Sequence, residues 1–152
     1  MNLYRLKNRP ALQPESKAFK KQEKLNALLA ELETRNLPES LVNTINEKIR
    51  KLNELEGSEK ELLKQYMKFQ HDVLRLIKEE TGIVKKGHYI HMWTALGMSV
   101  FGIPLGIAFS SAFGNMAFLG VGLPMGLVIG AGVGAKKDKV AAAEGKVLDI
   151  EI

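Results

Sequence analysis

The chain has 152 residues, 45% hydrophobic and 26% charged, with a formal net charge of +5, a mean hydropathy of -0.08 and no cysteine. Lack of cysteine excludes a disulfide framework, a thiolate metal site and a cysteine nucleophile. The near-zero mean hydropathy hides an uneven chain: from Gly87 to Ala135, 49 consecutive residues contain no Asp, Glu, Lys or Arg.

Residues 1–24 hold seven basic side chains against two acidic ones, while 25–86 and 136–152 are each balanced, so the whole excess charge sits here. No apolar run of signal-peptide length occurs in this stretch. Residues 1–14 are expected to form a basic arm. Its nearest anionic partner on a membrane-tethered chain is the lipid surface, worth roughly 1 kcal/mol per basic residue close to it; nucleic acid is the weaker alternative.

Residues 15–84 carry three helical patterns. The first is expected from Glu15 to Arg35, with Phe19, Leu25, Leu28, Leu29 and Leu32 on one face. The second follows Asn36, Leu37 and Pro38, with Val42, Ile45, Ile49 and Leu52 spaced 3-4-3, and Gly57 closes it. Ser58 with Glu61 forms a capping box that opens the third, running to about Thr81. Its stripe of Leu62, Tyr66, Phe69, Val73 and Leu76 is the widest of the three, which makes it the centre of a three-helix bundle or an intermolecular coiled coil. Gly82 and Gly87 interrupt any continuous rod beyond it. The tripeptide Pro-Glu-Ser at 14–16 and 38–40 reads as helix-start punctuation.

Residues 88–135 are long enough for two membrane crossings, each needing about 20 apolar residues. The spans are expected at about 90–110 and 116–135, joined by Ser111, Ala112, Phe113, Gly114 and Asn115. Lys85 and Lys86 precede the first span, Lys136, Lys137 and Lys139 follow the second, and the turn carries no charge. The positive-inside rule then places both flanks in the cytoplasm, with Tyr89 and Trp93 as interfacial anchors. The alternative, a soluble protein burying this hairpin, would ask 86 mostly polar residues to cover two helices apolar on every face.

The spans repeat with an offset of 20: Phe101–Phe109 reads FGIPLGIAF and Val121–Ile129 reads VGLPMGLVI. Gly122, Gly126, Gly130 and Gly134 recur every four residues, as do Gly102, Gly106, Ser110 and Gly114. Residues four apart share a helix face, so each series is a groove where another backbone can approach closely. In a hairpin turning at Gly114, Gly106 lies level with Gly122 and Gly102 with Gly126. Gly120, Ala131 and Gly132 leave a second small face for other copies. Pro104 and Pro124 each remove a helical hydrogen bond, so kinks or local opening are expected at both.

Catalytic chemistry is missing. No G-x-S-x-G, phosphate loop or H-E-x-x-H occurs, and neither span carries an ionisable residue in its middle. His88 and His91 could share a helix face, but a juxtamembrane role beside Tyr89 and Trp93 outweighs metal binding. No catalytic, cofactor-binding or metal residue is therefore expected. Residues 136–152 are expected to form a cytoplasmic tail, whose alternating ending either adds to a strand or docks on the bundle.

The stretches FGIPLG (101–106), GNMAFLGVGLP (114–124) and LDIEI (148–152) give most of the chain a form that resembles small bacterial membrane proteins with a cytoplasmic helical head and a C-terminal glycine-zipper transmembrane hairpin. That group has no assigned activity. The resemblance implies a bacterial inner membrane and adds no catalytic residue.

The expectation is thus an all-α, multi-pass membrane protein with both termini cytoplasmic. It is expected to act without a cofactor as a non-enzymatic homo-oligomeric anchor or scaffold, its head open to a cytoplasmic protein partner. The alternative is a small glycine-zipper pore or membrane-permeabilising effector gated by the head; a nucleic-acid tether is a weaker third.

Overall fold

A computed structural model describes residues 2–10 and 12–150, mostly helical. The chain divides into two units. A head ends at Val84 and regains the chain at Leu148; Lys85–Val147 forms the other.

In the head, α1 (Lys17–Glu33) starts where Ser16 Oγ accepts the Phe19 N–H, and it buries Ala18, Gln22, Leu25, Leu28, Leu29 and Leu32. This 3.6-residue periodicity gives a single apolar stripe. Helix α2 (Glu39–Glu54) follows Pro38, whose φ of -57° is already set for helix entry, and it buries Leu41, Val42, Ile45, Ile49 and Leu52. Helix α3 (Glu59–Thr81) opens on the capping box. Ser58 N–H donates to Glu61 Oε2 (2.9 Å) while Glu61 N–H donates to Ser58 Oγ (3.4 Å). Backbone and side-chain hydrogen bonds from Ser58 hold the Glu61 carboxyl below its usual range. Gly82 closes the helix with φ of 71°, its N–H reaching the Lys78 carbonyl at 3.0 Å. Such a left-handed cap suits glycine because it has no Cβ to clash.

Helix α3 packs against both α1 and α2 through Leu62, Tyr66, Phe69, Val73 and Ile77. Two segments add to this core: the first departs from the sequence expectation, and the second follows the alternatives expected for the tail. Leu3, Leu6 and Leu12, from the stretch expected to be a free basic arm, are buried in it, and so is Leu148 from the expected tail. Each fully buried leucine contributes ~1.5–3 kcal/mol. Ile150 also packs on the core; the last two residues of the LDIEI stretch lie outside those described.

The second unit is a helical hairpin. It holds α4 (His88–Gly97), a π-helical turn (Met98–Gly102), α5 (Ile103–Phe113), a short 3-10 turn (Met116–Phe118) and α6 (Leu119–Ala143). Two-residue strands β1 (Val84–Lys85) and β2 (Val147–Leu148) pair with each other. Gly87, with φ of 74°, turns the chain into α4.

Two helical stretches, His88–Phe113 and Met116–Ala143, are long and apolar enough to cross a membrane. Both exceed the expected spans. At the turn, α5 continues through Ser111, Ala112 and Phe113, so only Gly114 and Asn115 connect the arms. Gly114 takes φ of 64°, and Asn115 Oδ1 accepts the Ala117 N–H at 2.8 Å. At the other end α6 runs through Lys136, Lys137, Asp138 and Lys139 to Ala143. Charge marks where an apolar surface stops; it does not stop a helix, and Lys and Ala are good helix formers.

Candidate functional site

The hairpin arms meet backbone to backbone. A Cβ built on Gly122 would lie 2.6 Å from the Gly106 Cα, and one on Gly126 would lie 2.7 Å from the Gly102 Cα. On Gly130 it would lie 3.0 Å from the Thr94 Cα, and on Gly134 2.5 Å from the Ile90 Cα. No side chain fits at such separations. Van der Waals contact between backbones holds the arms together across this bare seam, as small residues at fourfold spacing allow. Ser110 is buried at the turn end of the seam, its hydroxyl 3.5 Å from Met116 Sδ.

Gly114 departs from the expected packing series. Its Cβ position has no neighbour within 4 Å, and its role is the left-handed cap of α5. The first arm's series is extended instead by Gly97, whose Cβ would lie 2.7 Å from the Gly130 Cα. Gly97 precedes Gly102 by five residues, so a fourfold repeat misses it. The π-helical turn between them explains the offset: the Ile103 N–H reaches back five residues to the Met98 carbonyl, and the extra residue returns Gly97 to the seam.

The two prolines, both expected to kink or open their helices, sit in different settings. Pro104 lies directly after the π turn, at the start of α5. Pro124 sits inside α6, which is continuous around it. Ser99, within the π turn, donates its hydroxyl to the Ala95 carbonyl at 3.1 Å.

At the end of the hairpin opposite its turn, Lys85, Lys86, Lys136, Lys137 and Lys139 are exposed, and Tyr89 and Trp93 are half-buried. Lys137 Nζ lies 5.4 Å from the centre of the Trp93 ring, a cation–π distance. The group that ties this end together is Asp138. Its carboxylate accepts the Tyr89 N–H at 3.0 Å through Oδ1 and the Ile90 N–H at 2.9 Å through Oδ2. Gly87, at the N-cap position, has no side chain to do this. A residue near the end of one arm therefore caps the start of the other, placing negative charge at the positive end of the helix dipole.

No protein-family model matches this chain, and no match was found among curated proteins or solved structures. What the chain does must be read from its own geometry.

In the head, that geometry includes a groove missed by sequence reasoning. The segment 2–9 lies across polar side chains of α1 and α2 that hold its backbone. Asn46 Oδ1 accepts the Tyr4 N–H (2.7 Å) while Asn46 Nδ2 donates to the Asn2 carbonyl (3.2 Å). Asn53 repeats the arrangement, accepting from Lys7 N–H (2.8 Å) and donating to the Arg5 carbonyl (3.1 Å). The asparagines stand seven residues apart on α2, about 10.5 Å of helix. Their targets are three residues apart, about 10 Å in an extended chain. The two rises match only if the segment is nearly fully extended.

The α1 side completes the grip. Asn26 Oδ1 accepts the Leu6 N–H (3.0 Å), Glu33 Oε1 the Leu3 N–H (3.0 Å), and Gln22 Nε2 donates to the Lys7 carbonyl (2.9 Å). Gln22 is buried, and its Oε1 accepts the Tyr66 hydroxyl at 3.1 Å. Burial pushes the Tyr66 phenol up in pKa, partly offset by the Arg9 guanidinium beside it. Arg9 donates to the Leu52 carbonyl at 3.1 Å near the C-terminal end of α2, where a cation is favoured, and Arg5 pairs with Glu33. Two of the cations expected to meet lipid thus hold the segment down. The readable signal was that Leu3, Leu6 and Leu12 are separated by multiples of three, the period of an extended chain with three residues per turn.

Proposed function

We propose that this chain is a non-enzymatic integral membrane protein of the bacterial inner membrane, in which the glycine-seamed hairpin anchors and assembles copies while the cytoplasmic head presents an interaction surface. The observation that carries the membrane reading is the outer surface of the hairpin. Val100, Phe101, Ile103, Ile107, Val121 and Val128 are exposed on it, and only 17% of each apolar span is buried. A helix from a soluble core would be mostly covered. Lysines at one end and an uncharged turn at the other support a cytoplasmic location for both flanks.

Self-association is supported by Gly120 and Gly132, whose Cβ positions have no atom within 4 Å and which lie off the hairpin's own seam. They leave backbone open on the outside of α6, where a second copy can approach closely. Crosslinking in native membranes tests this: Gly120→Leu with Gly132→Leu should shorten the oligomer ladder while leaving the chain membrane-bound. An unchanged ladder would count against the assembly. Ion flux through reconstituted liposomes, lost on Pro124→Ala or Gly126→Ala, would replace the scaffold reading with the pore.

A further inference from the structure

We infer that the α1–α2 groove of the head is a receptor for an extended peptide of the form Leu-x-x-Leu-x-x-Arg, and that its occupant in assembled protein is residues 2–9 of a second copy, exchanged reciprocally. The groove recognises backbone as well as side chains. Asn46 and Asn53 each take an N–H and the carbonyl two residues before it, which any extended chain offers. Side-chain selection comes from Leu3 and Leu6, buried in the core, and from Arg9, whose guanidinium reaches the carbonyls of Leu52 and Asn53. These three residues recur at threefold spacing, and an extended chain of three residues per turn, rising about 3.1 Å per residue, keeps such positions on one side.

A second copy carries the same segment and therefore fits by identity. In a reciprocal exchange the hydrogen bonds and leucine burial that a groove makes with its own segment are remade with the partner's identical one, so the cost is limited to the connection and to bringing two copies together. Between Arg9 and the start of α1 the chain carries Pro10 and Pro14, which resist collapse into a helix. Anchoring in one membrane plane supplies the encounter. The inference rests on the oligomeric reading above.

Because the chain lacks cysteine, a disulfide trap is clean. Full-length chains with Tyr4→Cys and separately tagged chains with Asn46→Cys are co-reconstituted in liposomes and oxidised. A second pair, Lys7→Cys with Asn53→Cys, leaves the Asn46 clamp intact. Exchange predicts a crosslinked dimer carrying both tags for each pair, reduced at least tenfold when Leu6→Asp is added to the segment-bearing chain. Mixed dimers absent from both pairs, with an intrachain crosslink in the chain carrying both Tyr4→Cys and Asn46→Cys, would overturn it. Gly120→Cys in the same liposomes separates the two failures: if it still forms dimers, only the exchange is wrong, and if it does not, assembly and exchange fall together.

Discussion

A glycine in a helix is ordinarily a cost of about 0.5–1 kcal/mol relative to alanine, so the glycines of the hairpin sort by what a methyl group would meet. At Gly122 it would run into the Gly102 and Gly106 backbone, whereas at Gly132 it would meet nothing. Gly122→Ala is therefore expected to destabilise the hairpin by roughly 1–3 kcal/mol through overpacking. Gly132→Ala should leave the isolated hairpin unchanged or slightly more stable. Unfolding of the two variants in mild detergent checks the opposite signs. Asp138 is the other decisive residue: Asp138→Ala leaves the Tyr89 and Ile90 amides without their acceptor, at a cost of about 0.5–2 kcal/mol. Faster hydrogen exchange confined to the first turn of α4 would be its signature. Gly102, Gly106, Gly122, Gly126, Gly130 and Gly134 were legible from their fourfold spacing, but Asp138 was not, because a cap supplied 48 residues away leaves no local sequence pattern.

Elements obey their end signals more closely than their composition. Ser58 and Glu61 open α3 as a reciprocal cap, and Ser58→Ala should cost about 1 kcal/mol, read as a lower thermal midpoint. Glu61 adds a pH dependence. Its pKa lies below the ordinary value of 4.5 in the folded state, so its contribution is complete above that value and is lost as pH falls through the lowered folded pKa. Glu61→Gln should accordingly flatten the acid limb of the stability profile measured between about pH 5 and pH 2, a range bracketing the usual carboxylate values. The ends of α1 were readable within two residues, and the start of α2 and both ends of α3 from Pro38, Ser58 and Gly82, whereas Gly57, expected to close α2, lies beyond its last residue Glu54 and its cap Leu55. The span boundaries were not readable, since the lysines after Ala135 signal a change of surroundings while α6 continues to Ala143. The π turn was equally hidden. Only the mismatch between Gly97 and the fourfold series hinted at it.

Across the whole molecule, two surfaces of opposite character underlie the proposed anchor and interaction surface. In the head, a segment rich in cations is held by asparagines, a glutamine and a glutamate. Counting charge over residues 1–24 could not reveal that Arg5 and Arg9 have protein partners, because Glu33 and the Leu52 carbonyl approach them only in the folded head. In the hairpin, apolar side chains left outside the glycine seam are the surface that lipid would cover. Alkaline extraction of native membranes, combined with impermeant thiol labelling of single-cysteine variants, measures this most directly. An inserted hairpin predicts that the chain stays in the membrane pellet, that Asn115→Cys labels from the periplasmic side, and that Lys64→Cys labels only after the cytoplasmic side is exposed. Release of the chain into the alkaline supernatant, with Asn115→Cys and Lys64→Cys labelled alike, would contradict it.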